Sequence, residues 1–552
     1  MQSDSSVFSS LQSVTGATYN KSEYNKDLIN NFLLRKARQK GIRLPTGGPP
    51  EEYKYLGAKV FQSTAGTSHN VTYIDVSSMY PSFLMTLNAS PETIIGTKED
   101  LEASEYTEDD CVWGYIDPRP VKHIDKGESW RQYTDGTYKM VYDPHAPGVK
   151  WTCDETIGPQ YEKVYFLHHD VQKGFLTECV EELIDLKNQY RGTSLYGSTK
   201  TVTNSIYGVL GWANESSSFR LFDWRIAEAI TLCGRKMIEF SAQYTLDKLA
   251  ERGHEDAYVA LGDTDGCGIC MPSSSSRHES LSTIEAITES MNNEGYDQFF
   301  QDEFGVEPKH HHGEIEVESF APKVFIPSRN PPHEEVGVKK RRIEWQTWDD
   351  DDGEKDEISI TGLEAERSDV APITKTAQQV FAETLKMNNS IAREKLYPQL
   401  REFATSIQNG SMELSRACKR KGIGQNLNEY GSSTRRAGPI YRGAKYTNEN
   451  IDGTTLQHGD KPSLVYVDKI VDDSYPTTYS ATTAEDGDVV DAIALPDASM
   501  LPEGFVVDWD KHLQKSLIEP MEPLLATRFG TDPWSEIIHG HEQSGLTTFT
   551  AD

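Results

Sequence analysis

The sequence has no run of about 18 apolar residues, the length a helix needs to cross a bilayer, so no transmembrane helix is expected. Its start, Met1-Gln2-Ser3-Asp4, has neither the basic nor the apolar region of a signal peptide. Cysteine is sparse, seven in 552 residues, which sets aside a disulfide framework and leads us to expect a reducing cytoplasm. Positive charge is also short: 55 Lys and Arg face 86 Asp and Glu, for a formal net charge of −31. That balance should repel nucleic acid, whose binding rests on lysine and arginine meeting phosphates. Acidic self-repulsion is screened at high salt, where the Debye length falls to about 3 Å at 1 M, so the composition fits a salt-loving host. No internal repeat is evident, and the length calls for two to four subdomains.

The sparse positive charge is unevenly spread. Arg416, Lys419, Arg420, Lys421, Arg435, Arg436, Arg442 and Lys445 crowd one segment against the single acid Glu429, a candidate phosphate track. Helical patterns cover Leu28–Lys40, Phe175–Tyr190, about Ser198 to Tyr207, and Ile226–Leu249. Val71–Ile74 alternates as a strand ending at Asp75. Tyr258–Leu261 and Gly266–Met271 flank Gly262-Asp263-Thr264-Asp265, which reads as a hairpin with an acidic turn. We expect residues 95–165 to be loop-rich, 272–280 to be a serine-rich loop, and Asp349–Asp352 to sit in an exposed insertion.

Two acidic elements carry the chemistry. An aspartate closing a strand is usually a turn residue, but Asp75 and the Asp263–Asp265 pair could converge across a sheet. Together they would hold two divalent ions, activating an attacking oxygen and stabilising a leaving one. Magnesium suits such hard oxygen ligands. Between them, Lys200, Asn204 and Tyr207 fall on one helix face, presenting a cation, an amide and a ring suited to a nucleoside triphosphate. Lys187 and Arg191 form a second cationic face one helix earlier.

These residues resemble three motifs of family B DNA polymerases. Asp75-Val76-Ser77-Ser78-Met79-Tyr80-Pro81-Ser82 is similar to motif A, Lys200 to Gly208 to motif B, and Gly262-Asp263-Thr264-Asp265 to motif C, in the family's order. The similarity extends through Lys173-Gly174-Phe175, Gly362-Leu363-Glu364 and Arg367-Ser368-Asp369. The resemblance implies an α+β right-hand polymerase with a mixed palm sheet, two-helix fingers and a basic helical thumb. It implies template-directed DNA synthesis, with dNTPs added to a primer 3′ end by two-metal nucleotidyl transfer. Asp75 and Asp265 would ligate Mg2+ (or Mn2+), with Asp263 supporting them. Lys200 and Lys187 would bind triphosphate, with Arg191 beside them. Ser78 and Asn204 would position the nucleotide, Tyr80 would exclude a 2′-hydroxyl, and Tyr207 would line the nascent pair. Lys339 and Lys340 would contact the primer end; Glu316 or Glu318 would be an accessory carboxylate. The implied layout is an N-terminal segment at 1–70, palm at 71–170 and 209–400, fingers at 171–208, thumb at 401–530 and a tail at 531–552.

Departures from the family pattern are specific. Lys187 stands where arginine is usual, a point charge for a bidentate fork. Gly266 replaces a serine, Leu261 a tyrosine, and Arg342 the tyrosine of the K-K-R-Y segment. Only 74 residues precede Asp75, with no D-x-E of a proofreading exonuclease, so synthesis without proofreading is expected unless a separate exonuclease-bearing polypeptide supplies it. The tail residues Gln543, Leu546 and Phe549 resemble a sliding-clamp peptide. Cys267 and Cys270 are expected in a packed strand instead of a zinc site. His310-His311-His312 should point to opposite sides of a strand and so not share a metal. The rival reading is a catalytically weak polymerase-derived subunit that binds DNA or a clamp.

Overall fold

The structure, a computed structural model, describes residues 15–16, 25–46, 57–61, 63–117, 121–124, 129–133, 139–142, 161–193, 195–212, 218–272, 274–329, 331, 337–338, 340–351, 353–427, 438–479 and 487–539. Lys339, Arg435, Arg436, Gln543, Leu546 and Phe549 lie outside the described residues. The chain divides into two units, residues 1–61, 72–269 and 278–318, and residues 62–71, 270–277 and 319–552.

In the first unit, helix α1 (Asn25–Lys40) precedes strand β1 (Gly66–Val76), whose residues from Thr72 belong to this unit. Helix α2 (Met79–Thr86) follows at once. Strands β2 (Ile94–Gly96), β3 (Cys111–Ile116) and β7 (Glu162–Leu167) form a three-stranded sheet, and β4 (Val121–Ile124), β5 (Ser129–Tyr133) and β6 (Lys139–Tyr142) another. Among the described residues of 95–165 these short strands stand where a loop-rich stretch is expected, and their shortness hides their alternation.

Helices α3 (Phe175–Gln189) and α4 (Tyr196–Leu210) pair through apolar faces. On α3 the buried apolar residues are Phe175, Leu176, Cys179, Val180 and Leu183, one stripe at helical spacing. Asn88 anchors the start of α3. Its backbone is left-handed (φ 51°), its Oδ1 accepts from Gly174 N at 2.8 Å, and its Nδ2 donates to Leu167 O at 2.9 Å and Gln172 O at 2.7 Å. A Cβ on Gly174 would stand 2.8 Å from Ser90 Cβ, so glycine is what lets the helix start so close.

The long helix α5 (Trp224–Glu251) begins at Asp223, whose side chain caps Arg225 N. Strands β8 (Tyr258–Asp263) and β9 (Gly266–Cys270) pair as the expected hairpin. Beyond the hairpin the serine-rich stretch is partly helical, since α6 (Arg277–Ser290) starts inside it. Helix α7 (Tyr296–Phe304) supplies Phe300 and Phe304, packed on Phe83 of α2. Strand β10 (Ile315–Ile326) then lies beside β1, giving the order β10-β1-β9-β8. Only its residues to Glu318 belong to this unit.

In the second unit β10 continues, paired antiparallel with β11 (Arg342–Asp349), which pairs with β12 (Gly353–Thr361). The acidic run falls between the paired strands β11 and β12, with Asp350 and Asp351 exposed as expected; Asp349 closes β11 and is paired with Lys355. Helices α8 (Pro372–Glu383) and α9 (Asn389–Gln408) share one core with Phe325, Ile343, Leu517 and Leu525. After them come β13 (Lys419–Arg420), α10 (Pro439–Asn450), β14 (Ser463–Ile470), β15 (Ala492–Leu495) and β16 (Phe505–Val507), the strands joined in one sheet. The segment expected to be a helical thumb thus carries this sheet as well as helices. Helix α10 seats on β15 because Gly443 has no side chain: a Cβ there would meet Ile493 C and Ala494 N, each at 2.8 Å.

Candidate active site

The site is built on neighbouring strands of the first unit. Asp75 sits at the end of β1, and Asp265 just before β9, where Val76 N donates to Asp265 O at 3.0 Å. That bond fixes the two aspartates side by side. The hairpin tip is tight: Asp265 N donates to Asp263 O at 2.9 Å across Thr264, whose φ is 69°. This has the hydrogen bond and φ sign of the rarer, strained γ-turn. The Thr264 hydroxyl donates to Asp263 Oδ1 at 2.9 Å, and Thr264 N to Lys59 O at 2.9 Å, so both neighbours hold the turn.

Close approach explains two glycines. A Cβ on Gly266 would lie 2.8 Å from Asp75 Oδ1 and 2.9 Å from Ile74 O. A Cβ on Gly262 would lie 2.3 Å from the Phe61 ring. The serine usual after motif C would not fit beside Asp75 here. The sequence showed that departure without its reason.

The electrostatics follow from crowding. Burial, and then the charges of Asp265, Glu318 and Glu316, push the Asp75 carboxyl up to about 8, against a weaker downward pull from Lys200. Glu316 and Glu318 are both exposed and two apart on β10, hence on one side of the strand. Of these two, Glu318 acts on Asp75 more strongly. The donor set is entirely carboxylate oxygen, which suits hard divalent ions such as magnesium, and an ion there would relieve the repulsion that raises Asp75.

The expected nucleotide residues gather on the same side. Lys187 of α3 donates from Nζ to Ser78 Oγ at 2.9 Å. Burial, and then Lys200 and Arg191, hold the Lys187 amine below its usual range, against Glu316 and Glu314. Ser78 is left-handed (φ 50°) where β1 turns into α2, a strained position for a non-glycine residue. On α4, Lys200 and Asn204 are exposed and Tyr207 is half-buried. Tyr207 stacks on Tyr80, with ring centroids 4.0 Å apart and planes 28° apart. Burial, Tyr207 and Asp265 together push the Tyr80 hydroxyl upward. Beneath them, a Cβ on Gly234 of α5 would meet Met79 Cε at 2.8 Å, a support no motif marked.

The expected DNA contacts belong to the second unit. Lys340 is left-handed (φ 60°), and its carbonyl lies where a Cβ on Gly362 would be, 2.0 Å away. Arg342 donates to the buried Glu344 at 2.8 Å. Arg416, Arg420 and Lys421 are exposed, whereas Lys419 is half-buried and burial lowers its pKa. Arg442 departs from the proposed track. Its side chain is buried and its Nη2 bonds both oxygens of Asp491, at 2.6 and 2.8 Å. Cys267 and Cys270 are buried on β9. The histidines are not on a strand, because β10 starts only at Ile315, so alternation does not govern them. His311 instead stacks on Phe300 and meets Asp297 at 2.8 Å. Among the described residues no helix is long and apolar enough to cross a membrane.

Comparison with known proteins places these features. The profile of DNA polymerase family B matches residues 19–306. A DNA polymerase of Archaeoglobus fulgidus is 26% identical over 411 residues, covering 73% of this chain and 40% of that protein. One from Paramecium bursaria Chlorella virus NY2A is 30% identical over 243 residues, 43% of this chain and 23% of that protein. In structure, the family B DNA polymerase of Pyrobaculum calidifontis superposes with a TM-score of 0.54 at 19% identity, covering 95% of this chain and 54% of that one. The chain thus spans about two fifths to half the length of the archaeal relatives.

Proposed function

The chain belongs to DNA polymerase family B, and from that premise we propose that it extends a primer on a DNA template. The observation that carries this reading is the Val76 N–Asp265 O bond at 3.0 Å, which sets Asp75 beside Asp265 within the residues the family profile matches. Carboxylates crowded in this way favour a bound cation.

Asp75 and Asp265 would hold two magnesium ions, with Glu318 as the accessory carboxylate. Bound there, the ions would supply Lewis-acid activation of the primer 3′-oxygen and stabilise the leaving oxygen. The protein's own groups do the rest. Lys187 and Lys200 would take the triphosphate charge, with Ser78 holding the Lys187 ammonium toward it. Tyr80 would lie under the sugar, leaving no room for a 2′-hydroxyl, and Asn204 would orient the nucleotide. Arg416, Lys419, Arg420 and Lys421 would follow the phosphate backbone. Positioning and electrostatics would supply most of the acceleration, as in phosphoryl transfer generally.

The test is primer extension with Mg2+ on a defined template, run in molar salt to match the acidic composition. Asp265→Asn should lower the rate by about 10³-fold or more while dNTP binding changes little. Undiminished extension by Asp265→Asn, or equal synthesis without template, would overturn the assignment. Tyr80→Ala should admit ribonucleotides, shifting sugar preference by about 10–200-fold.

A further inference from the structure

The strained tip between Asp263 and Asp265 is gripped by a short segment far upstream in the chain. In the first unit β8 ends the strand order β10-β1-β9-β8, which leaves its far edge for another partner. Residues 57–61 run along that edge at the tip, with Val60 opposite Asp263 in a single antiparallel bridge. Phe61 N donates to Gly262 O at 3.0 Å, and Thr264 N donates to Lys59 O at 2.9 Å. The two bonds flank Asp263 on either side, so the segment holds the turn itself.

The segment is itself anchored. Phe61 is half-buried over Gly262, where any Cβ would run into its ring. Arg235 Nε of α5 donates to Gly57 O at 2.6 Å, and Lys59 Nζ meets Glu239 of the same helix at 2.5 Å. The Lys59–Glu239 pair lies near the surface and adds little energy, but it fixes where the segment runs. Next to Arg235 stands Gly234, against which Met79 of motif A packs. Both aspartate-bearing motifs thus rest on one stretch of α5, motif A directly and motif C through residues 57–61.

Thr264 is a β-branched residue at φ 69°, a conformation that persists only where its surroundings impose it. The Thr264 hydroxyl bond to Asp263 Oδ1 is local to the turn, whereas the bonds to residues 57–61 reach it from elsewhere in the fold. We infer that Phe61 is a positioning residue for nucleotidyl transfer. Seated on Gly262, it keeps residues 57–61 against the hairpin and so keeps Asp265 beside Asp75. It acts on the site through the backbone of Lys59 and Gly262. This role rests on the polymerase reading. A ring packed on a glycine at a strand edge is also ordinary filling, which would lower stability alone. Metal affinity of the folded chain separates the two.

Mn2+ binding by the full chain, followed by the paramagnetic resonance signal of the free ion, checks this role beside primer extension with Mg2+. Phe61→Ala should weaken Mn2+ binding and lower kcat, each by about 10–100-fold, while the KM for dNTP changes little. Phe61→Leu, which still covers Gly262, should keep most of both. Gly262→Ala should do less harm in the Phe61→Ala background than in the parent chain, because its Cβ takes up the vacated space. Parental Mn2+ affinity and kcat in folded Phe61→Ala, or equal effects of Gly262→Ala in the two backgrounds, would overturn the role. Asp265→Asn is the control. If it abolishes extension while Phe61→Ala does not, the positioning role fails and the polymerase reading stands; if it leaves extension intact, that reading fails and the role with it. Should circular dichroism show Phe61→Ala unfolded, Phe61→Val replaces it with the same outcomes.

Discussion

Asp75 and Asp491 are both partly buried aspartates, Asp75 the deeper, and their environments push them in opposite directions. Asp75 faces Asp265, Glu318 and Glu316, and burial together with those charges raises it to about 8. Burial pushes Asp491 up as well, but the Arg442 hydrogen bonds and charge, with Lys511, outweigh it and hold the carboxyl below the usual range. Tyr479 adds a hydrogen bond to Asp491 at 3.1 Å. One group is closed, with its counter-charge built into the fold. In the other, the acidic neighbours and burial outweigh the pull of Lys200. Burial alone does not separate a structural carboxylate from a functional one; the sign of its neighbours does.

The largest effect that would test this contrast is on stability. Arg442→Met removes the main counter-charge from Asp491 and should cost about 3–5 kcal/mol, read as a lowered urea midpoint. Asp75→Asn removes repulsion and should leave that midpoint level or higher. If the two variants lost stability equally, the contrast would fail.

A smaller effect uses the two close glycines. Gly266→Ser and Gly443→Ala should each cost about 1–3 kcal/mol through overpacking. Only Gly266→Ser, which presses on Asp75, should also slow primer extension beyond its loss of folded protein. Equal specific activity of the two variants would detach Gly266 from the site.

The smallest effect is in pH, because solvent reaching Asp75 screens its neighbours. Its folded pKa, about 8, lies above the ordinary 3.8, so the native state holds the proton more tightly. Ionised Asp75 therefore destabilises the metal-free fold as pH rises from about 4 to about 8. The Tm advantage of Asp75→Asn in chelator should be greatest near pH 8 and vanish near pH 4. A difference flat across that window would show that Asp75 is not crowded as described.

The sequence made much of this legible where function rests on local spacing. Asp75, Lys200, Asn204, Tyr207 and Asp265 could be picked out because a strand end, a helix face and a hairpin tip each have a short-range signature. The start and end of α3 followed from its apolar stripe, and α4 and α5 each run two or three residues beyond the expected helix at both ends. What stayed hidden depends on contacts between residues far apart in the chain. The β3–β7 pairing was obscured by the stretch between them, and the β13–β16 sheet by short strands. Arg442 looked like part of a basic run because nothing local reveals Asp491, 49 positions away. Gly266 looked like a lost serine until Asp75 stood against it. His310 was judged by strand alternation on a segment that is not a strand.

The Tyr80–Tyr207 stack has a consequence for the unliganded chain. Rings 4.0 Å apart admit nothing between them. If a sugar is to lie on the face of Tyr80 that Tyr207 covers, an arriving nucleotide must first part the two rings, and the stack would then be a latch that competes with substrate. An aromatic pair is worth about 0.5–1.5 kcal/mol, enough to weaken apparent nucleotide affinity by up to about tenfold. Loosening the latch would tighten binding without adding a single contact to the nucleotide.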